Sequence, residues 1–136
     1  MSYITLQDLQ TRYGADEISR LADRDGDSIP DADVIATAIG DAGEVVDSYL
    51  SSRFALPLAQ VPVVIVRLAC AITRYHLYDD KPSDHVTREY SGALQTLQKI
   101  ADGDIRLGID GAALDGATGE PDSATGTTRF DDLTGY

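Results

Sequence analysis

Residues 61–77 read VPVVIVRLACAITRYHL. Val61, Ile65, Leu68, Cys70, Ile72, Tyr75 and Leu77 lie almost all round a helix, with Arg67 and Arg74 as the main exceptions. A helix that is apolar on most faces sits at the centre of its domain or of an assembly. Pro62 suits the first turn, because its missing N–H would be an orphan there in any case. The apolar run from Val61 to Ile72 is broken by Pro62 and Arg67, and it is far shorter than the roughly 20 residues of a membrane span. The stretch therefore predicts a buried helix. Cys70, the single cysteine, has no internal disulfide partner and reads as a small buried hydrophobe in a reducing compartment.

Working outward, Gly, Pro and Asp cut residues 1–103 into further helical blocks. Thr5-Leu6-Gln7-Asp8 is a capping-box-like start, followed by Leu6, Leu9 and Tyr13 on one side and a left-handed stop at Gly14. A shorter turn from Asp16 to Ala22 offers Ile18 and Leu21. A longer block begins after Pro30 with Asp31 as N-cap. Its stripe runs from Val34/Ile35 through Ala38/Ile39, Ala42, Val45/Val46 and Tyr49 to Arg53/Phe54. Gly40 and Gly43 weaken its middle and leave room for a close helix crossing. Pro57 expels Leu56 from the helical region and ends the block. After Lys81-Pro82-Ser83-Asp84, Val86, Tyr90, Ala93/Leu94, Leu97 and Ile100/Ala101 form the stripe of a last helix that stops at Gly103. The fold class is all-α, a small antiparallel bundle of four to five helices spanning residues 1–103.

Residues 104–136 form a second unit, an extended glycine-rich C-terminal arm. The alternation Ile105-Arg106-Leu107-Gly108-Ile109 permits one short strand, and Ala117 to Thr128 reads as a flexible loop. So few apolar residues cannot fold alone. The arm is either a disordered end or a segment that orders on a partner near Phe130 and Leu133.

The 136 residues carry 23 acids and 11 Lys+Arg, a formal net charge of −12. Residues 16–47 hold −8 of it and residues 104–136 hold −5, so the rest is close to neutral. The sequence shows no basic stripe to release counterions, which argues against gripping a nucleic acid backbone and disfavours adhesion to an anionic membrane. The start MSYITLQDLQ lacks the basic and apolar regions of a signal peptide.

Asp23-Arg24-Asp25-Gly26-Asp27-Ser28-Ile29-Pro30-Asp31 is the most motif-like stretch. Carboxylates at Asp23, Asp25 and Asp27 and a carbonyl at Ile29 are what Ca²⁺ takes from a tight loop, and Asp31 and Asp33 offer a further ligand at another spacing. The string departs at Ser28, where the sharp turn wants Gly, and at Val34, where a bidentate Glu would close the site. The simpler reading is an Asx-rich turn capping the next helix, with no cofactor. His76, Asp79, Asp80 and His85 fall within ten residues and offer a transition-metal set, although a half-buried His76 and a solvated His85 explain them as well. Arg53, Arg67 and Arg74 each sit on a mainly apolar face, where an Arg snorkels or meets a carboxylate, including one from the acidic 16–47 region of a neighbouring subunit. No nucleophile elbow, phosphate loop or helical His-Glu-x-x-His occurs, so no enzyme is expected.

The chain carries an ordered series of runs: Ala38-Ile39, Val46-Asp47-Ser48-Tyr49-Leu50, Arg53-Phe54-Ala55-Leu56-Pro57-Leu58, Val61-Pro62, the block from Ala71 to Tyr78, Pro82, Arg88-Glu89-Tyr90, Thr128-Arg129-Phe130 and Asp132-Leu133. The series resembles the small virion proteins encoded in the head-gene region of Mu-like phages and prophages. That family is similar in layout to the head–tail connector (adaptor) proteins of long-tailed phages, helical bundles that form a ring below the portal. The resemblance implies a virion protein at the head–tail junction, assembled in the host cytoplasm. Its implied partners are further copies of itself, the portal and a tail-side stopper or terminator, with double-stranded DNA passing without tight binding. Arg53, Arg67, Arg74, Arg129, Phe130 and Leu133 are the candidate contacts. Two alternatives stay open: an acidic DNA mimic that inhibits a nuclease, and a calcium-stabilised binding module.

Overall fold

A computed structural model describes residues 2–78 and 81–108. They form five helices: α1 (Leu6–Tyr13), α2 (Ala15–Ala22), α3 (Ala32–Leu50), α4 (Val63–Leu77) and α5 (Asp84–Asp102). The described residues form an all-α bundle. Its centre is α4, which packs against α3, α5 and α1, while α3 also touches α5 and α1 pairs with α2. No described helix is long and apolar enough to cross a membrane.

Local chemistry sets the helix ends. Thr5 Oγ1 accepts from the Asp8 amide and Asp8 Oδ2 accepts from the Thr5 amide, a complete capping box for α1. Ser83 caps α5 through the Val86 amide, and Gly103 ends it at φ +89°, where a Cβ would be strained. Two boundaries differ from the sequence reading. Pro62 is the N-cap of α4 and not its first helical residue. Helix α3 stops at Leu50, six residues before Leu56, so Arg53 and Phe54 lie in a following turn whose Phe54 amide still donates to Leu50 O at 2.8 Å. Pro57, which follows a cis bond, comes too late to be what ends the helix.

From Ile65 to Leu77, α4 shows only Arg67 fully to solvent, and Leu68 to Thr73 are all buried. Thr73, a fully buried polar side chain, is satisfied by donating to Ala69 O at 2.7 Å. Around α4 the core collects Leu9, Ile18, Val46, Leu50, Leu97 and Ile100. Each such side chain is worth about 1.5–3 kcal/mol relative to exposure. Gly43 is buried, whereas Gly40 faces outward with nothing near its missing Cβ.

Past Gly103, Ile105 and Leu107 pack against the core and Arg106 and Gly108 point out. The alternation is real, but residues 105–108 are irregular and not a strand. Residue 109, the 117–128 segment and the contacts expected at Arg129, Phe130 and Leu133 lie outside the described residues.

Candidate functional site

The Asp-rich loop joins α2 to α3 and is closed by its own backbone. Asp23 Oδ1 accepts from the Gly26 and Asp27 amides, and Asp23 Oδ2 accepts from Ser28 at 2.8 Å. Asp27 Oδ1 accepts from the Ile29 amide. Ser28 takes φ +66°, the left-handed turn expected at that position of a cation loop. The loop's foot is the Asp31 amide on Ala22 O at 2.9 Å. Asp31 is the N-cap residue of α3, but its carboxylate accepts from the Arg24 amide and makes no cap hydrogen bond. Closing the loop takes precedence over capping the helix.

Carboxylate oxygens of Asp23, Asp25, Asp27 and Asp31 all lie within 4.8 Å of one another. Slight desolvation works against the Asp23 charge, but the amides of Ser28 and Gly26 outweigh it and hold its pKa below the usual value. At Asp25 the Asp27 amide favours the charge, yet the shared hydrogen bond with Asp23 and the Asp27 charge push its pKa up. The donors suit a hard cation, while Ile29 is 61% exposed and position 12 carries a half-buried Val34. Exposed carboxylates cluster without an ion in many proteins, so the geometry by itself assigns no ligand. Arg24 ties the loop down by donating from Nη2 to Leu77 O, the last carbonyl of α4, at 2.9 Å.

The three candidate arginines part ways. Arg74 Nε donates to Glu17 Oε2 at 2.7 Å and its Nη1 to Glu89 Oε1 at 3.3 Å, while its Cζ sits 4.2 Å over the Tyr13 ring. Tyr13 Oη donates to the same Glu89 oxygen at 3.1 Å. Burial opposes the Arg74 charge, and the Glu17 hydrogen bond with the Glu17 and Glu89 charges more than compensates, raising its pKa. Its carboxylate from the acidic region thus comes from the same chain. Arg53 is also used internally. Its Nε donates to Ala101 O at 3.2 Å, covering the C-terminus of α5, and its guanidinium fills the space a Gly103 Cβ would need. Arg67 alone of the three is exposed and has no carboxylate partner among the described residues.

Arg67 borders an open groove of about 550 Å³ between α1, α4 and α5. Arg12, Tyr13 and Glu89 border it as well, and Leu68, Ala71, Ala93, Gly92 and Thr96 complete the lining. Gly92 has open space where its Cβ would be. Sequence reading missed this groove, because its lining comes from three helices and Gly92 carries no periodic signal. Of the histidine set, His85 is exposed and Asp79 and Asp80 lie outside the described residues. His76 is half-buried beside the Tyr75–Tyr90 stack, whose rings are 3.9 Å apart, and its Nδ1 has no partner among the described residues.

The sequence is similar to two phage and prophage proteins and to one family. Gene product J of Escherichia phage Mu is 31% identical over 121 residues, covering 88% of this chain and 86% of that protein. The Mu-like prophage FluMu protein gp36 of Haemophilus influenzae is 39% identical over 75 residues, 55% of this chain and 53% of the relative. Residues 3–125 match the profile of the family described as Bacteriophage Mu, Gp36, so all five helices fall inside the match. This chain belongs to the phage Mu Gp36 family.

Proposed function

We propose that the protein is a structural virion component, a head–tail connector that assembles as a ring beneath the portal and lets DNA pass from capsid to tail. The observation that carries this reading is membership of the Mu Gp36 family over residues 3–125. The connector-like layout, a small helical bundle followed by a long C-terminal segment, supports it. Charge segregation fits the role as well. Acids crowd the Asp-rich loop and the C-terminal segment, so a channel edged by them repels phosphates and favours passage over grip. The DNA-mimic alternative is not favoured, since a mimic needs acids spread along one elongated face and α5 exposes Arg88 and Lys99 between single acids at its two ends, Asp84 and Asp102.

Complementation tests this. A phage or prophage deleted for this reading frame should accumulate filled heads and free tails, and adding purified protein should restore joined particles. Normal joining in the deletion would refute the connector role.

A further inference from the structure

Two mid-helix glycines have no role inside the chain. Gly40 of α3 and Gly92 of α5 are both exposed, both have ordinary helical φ, and a Cβ on either would meet nothing within 4 Å. Glycine destabilises a helix interior, so neither position is explained by the fold. Their surroundings are opposite in charge. Around Gly40, α3 exposes Thr37, Asp41, Glu44 and Ser48, with no base. Around Gly92, α5 exposes Arg88, Gln95 and Lys99 at helical spacing, and the groove adds Arg12 and Arg67, while its one lining carboxylate, Glu89, is held by Arg74 and Tyr13. None of these four bases has a carboxylate within ion-pair distance among the described residues. In a chain of net charge −12, this concentration of bases that meet no carboxylate among the described residues is a distinctive surface.

The geometry points to a head-to-tail contact between copies of this chain, in which the acidic outer face of α3 in one copy docks on the α5 groove of the next. Each copy then uses α3 towards one neighbour and the α5 groove towards the other, a heterologous contact that forms a ring when the rotation between copies closes. Glycine at the centre of each surface lets the two backbones approach closely. Asp41 and Glu44 then meet Arg67 and Arg88, which supplies register and discriminates against wrong partners. The proposal rests on the ring reading above and deepens it by naming the subunit interface.

Charge reversal in the full-length protein tests it, with assembly onto portal read by mass and by microscopy. The variants D41R/E44R and R67E/R88E should each raise the concentration needed for half-assembly at least about tenfold while keeping wild-type helicity by circular dichroism. Mixed in equal amounts, the two variants should assemble together, since each then offers the surface the other needs. A second variant, G40A/G92A, should melt several degrees higher than wild type yet assemble at least about fivefold more weakly. Rings from wild type, with assembly of every variant unchanged, would overturn this interface and leave the connector reading standing. Failure of the mixed variants to assemble would also overturn it. A wild type that forms no ring with portal would overturn both.

Discussion

Arg74 is the strut that holds the α1–α2 hairpin to the bundle, and removing it gives a calculable effect. Its side chain is 12% exposed, Glu17 is 22% exposed and Glu89 is 34% exposed, so the Glu17 link is the drier of the two. A hydrogen bond to a charged group contributes about 1.5–3 kcal/mol, and solvent screening lowers the Glu89 link towards the surface value. Taking about 1.5 kcal/mol for Glu17, about 0.5 for Glu89 and about 0.5 for the ring contact with Tyr13, Arg74→Ala should lose about 2.5 kcal/mol. At roughly 4 °C per kcal/mol for a domain of this size, Tm falls by about 10 °C. Urea denaturation of wild type, Arg74→Ala, Glu17→Ala and the double variant gives the pairwise term. The coupling should be about 1.5 kcal/mol and should persist in about 1 M salt, because the pair is mostly buried. A loss below about 0.5 kcal/mol, or a coupling that salt abolishes, would refute the strut.

Further outcomes follow from the same contacts. Gly103→Ala should cost about 1–2 kcal/mol by urea denaturation, since it forces a Cβ to φ +89° and displaces the Arg53 guanidinium from the end of α5; an unchanged midpoint would contradict that packing. Ending the chain after Gly108 should keep the helical spectrum, because Ile105 and Leu107 stay in place, but it should abolish joining to portal; joining at wild-type level would remove the C-terminal segment from the assembly. Alkaline pH should unfold the bundle. Burial raises the pKa of Tyr3, which donates to Asp47, and of Tyr13, which donates to Glu89, and it pushes the Cys70 thiol up to about 11. Groups with raised folded pKa values stabilise fully below their unfolded values, 9.0 for the thiol and 10.0 for the phenols, and that stability drains away as pH rises towards the folded values. Helicity and tyrosinate absorbance should therefore change together above about pH 10. Millimolar Ca²⁺ should leave Tm unchanged, because Val34 stands where a closing bidentate carboxylate belongs; a rise of several degrees would assign the Asp-rich loop to a metal.

The fold was legible where one period dominated. Leu97, Ile100 and Val86 fall on the expected stripe of α5 and are buried, and α4 is buried on most faces from Ile65 onward, with Val63 and Arg67 exposed. Helix ends set by a local box or a left-handed glycine, such as Thr5–Asp8 and Gly103, were readable because the interaction is contained in four residues. The end of α3 was not, since the stripe continues through Phe54, which is buried beyond the helix by tertiary packing. Asp31 was named correctly as an N-cap residue by position, but the competing demand of the Arg24 amide for its carboxylate depends on how the loop folds. The arginine roles were opaque for a related reason. Arg53, Arg67 and Arg74 look alike in sequence, and only the arrangement of helices decides which meets a carbonyl, which meets carboxylates and which is left facing solvent.

The central claim, a ring at the head–tail junction, is tested most directly by imaging the protein purified together with its phage's portal. The account predicts a ring of copies stacked coaxially on the portal, with α3 of each copy against α5 of the next around an open channel. Portal particles that carry no such ring, with the protein eluting as a monomer beside them, would contradict it.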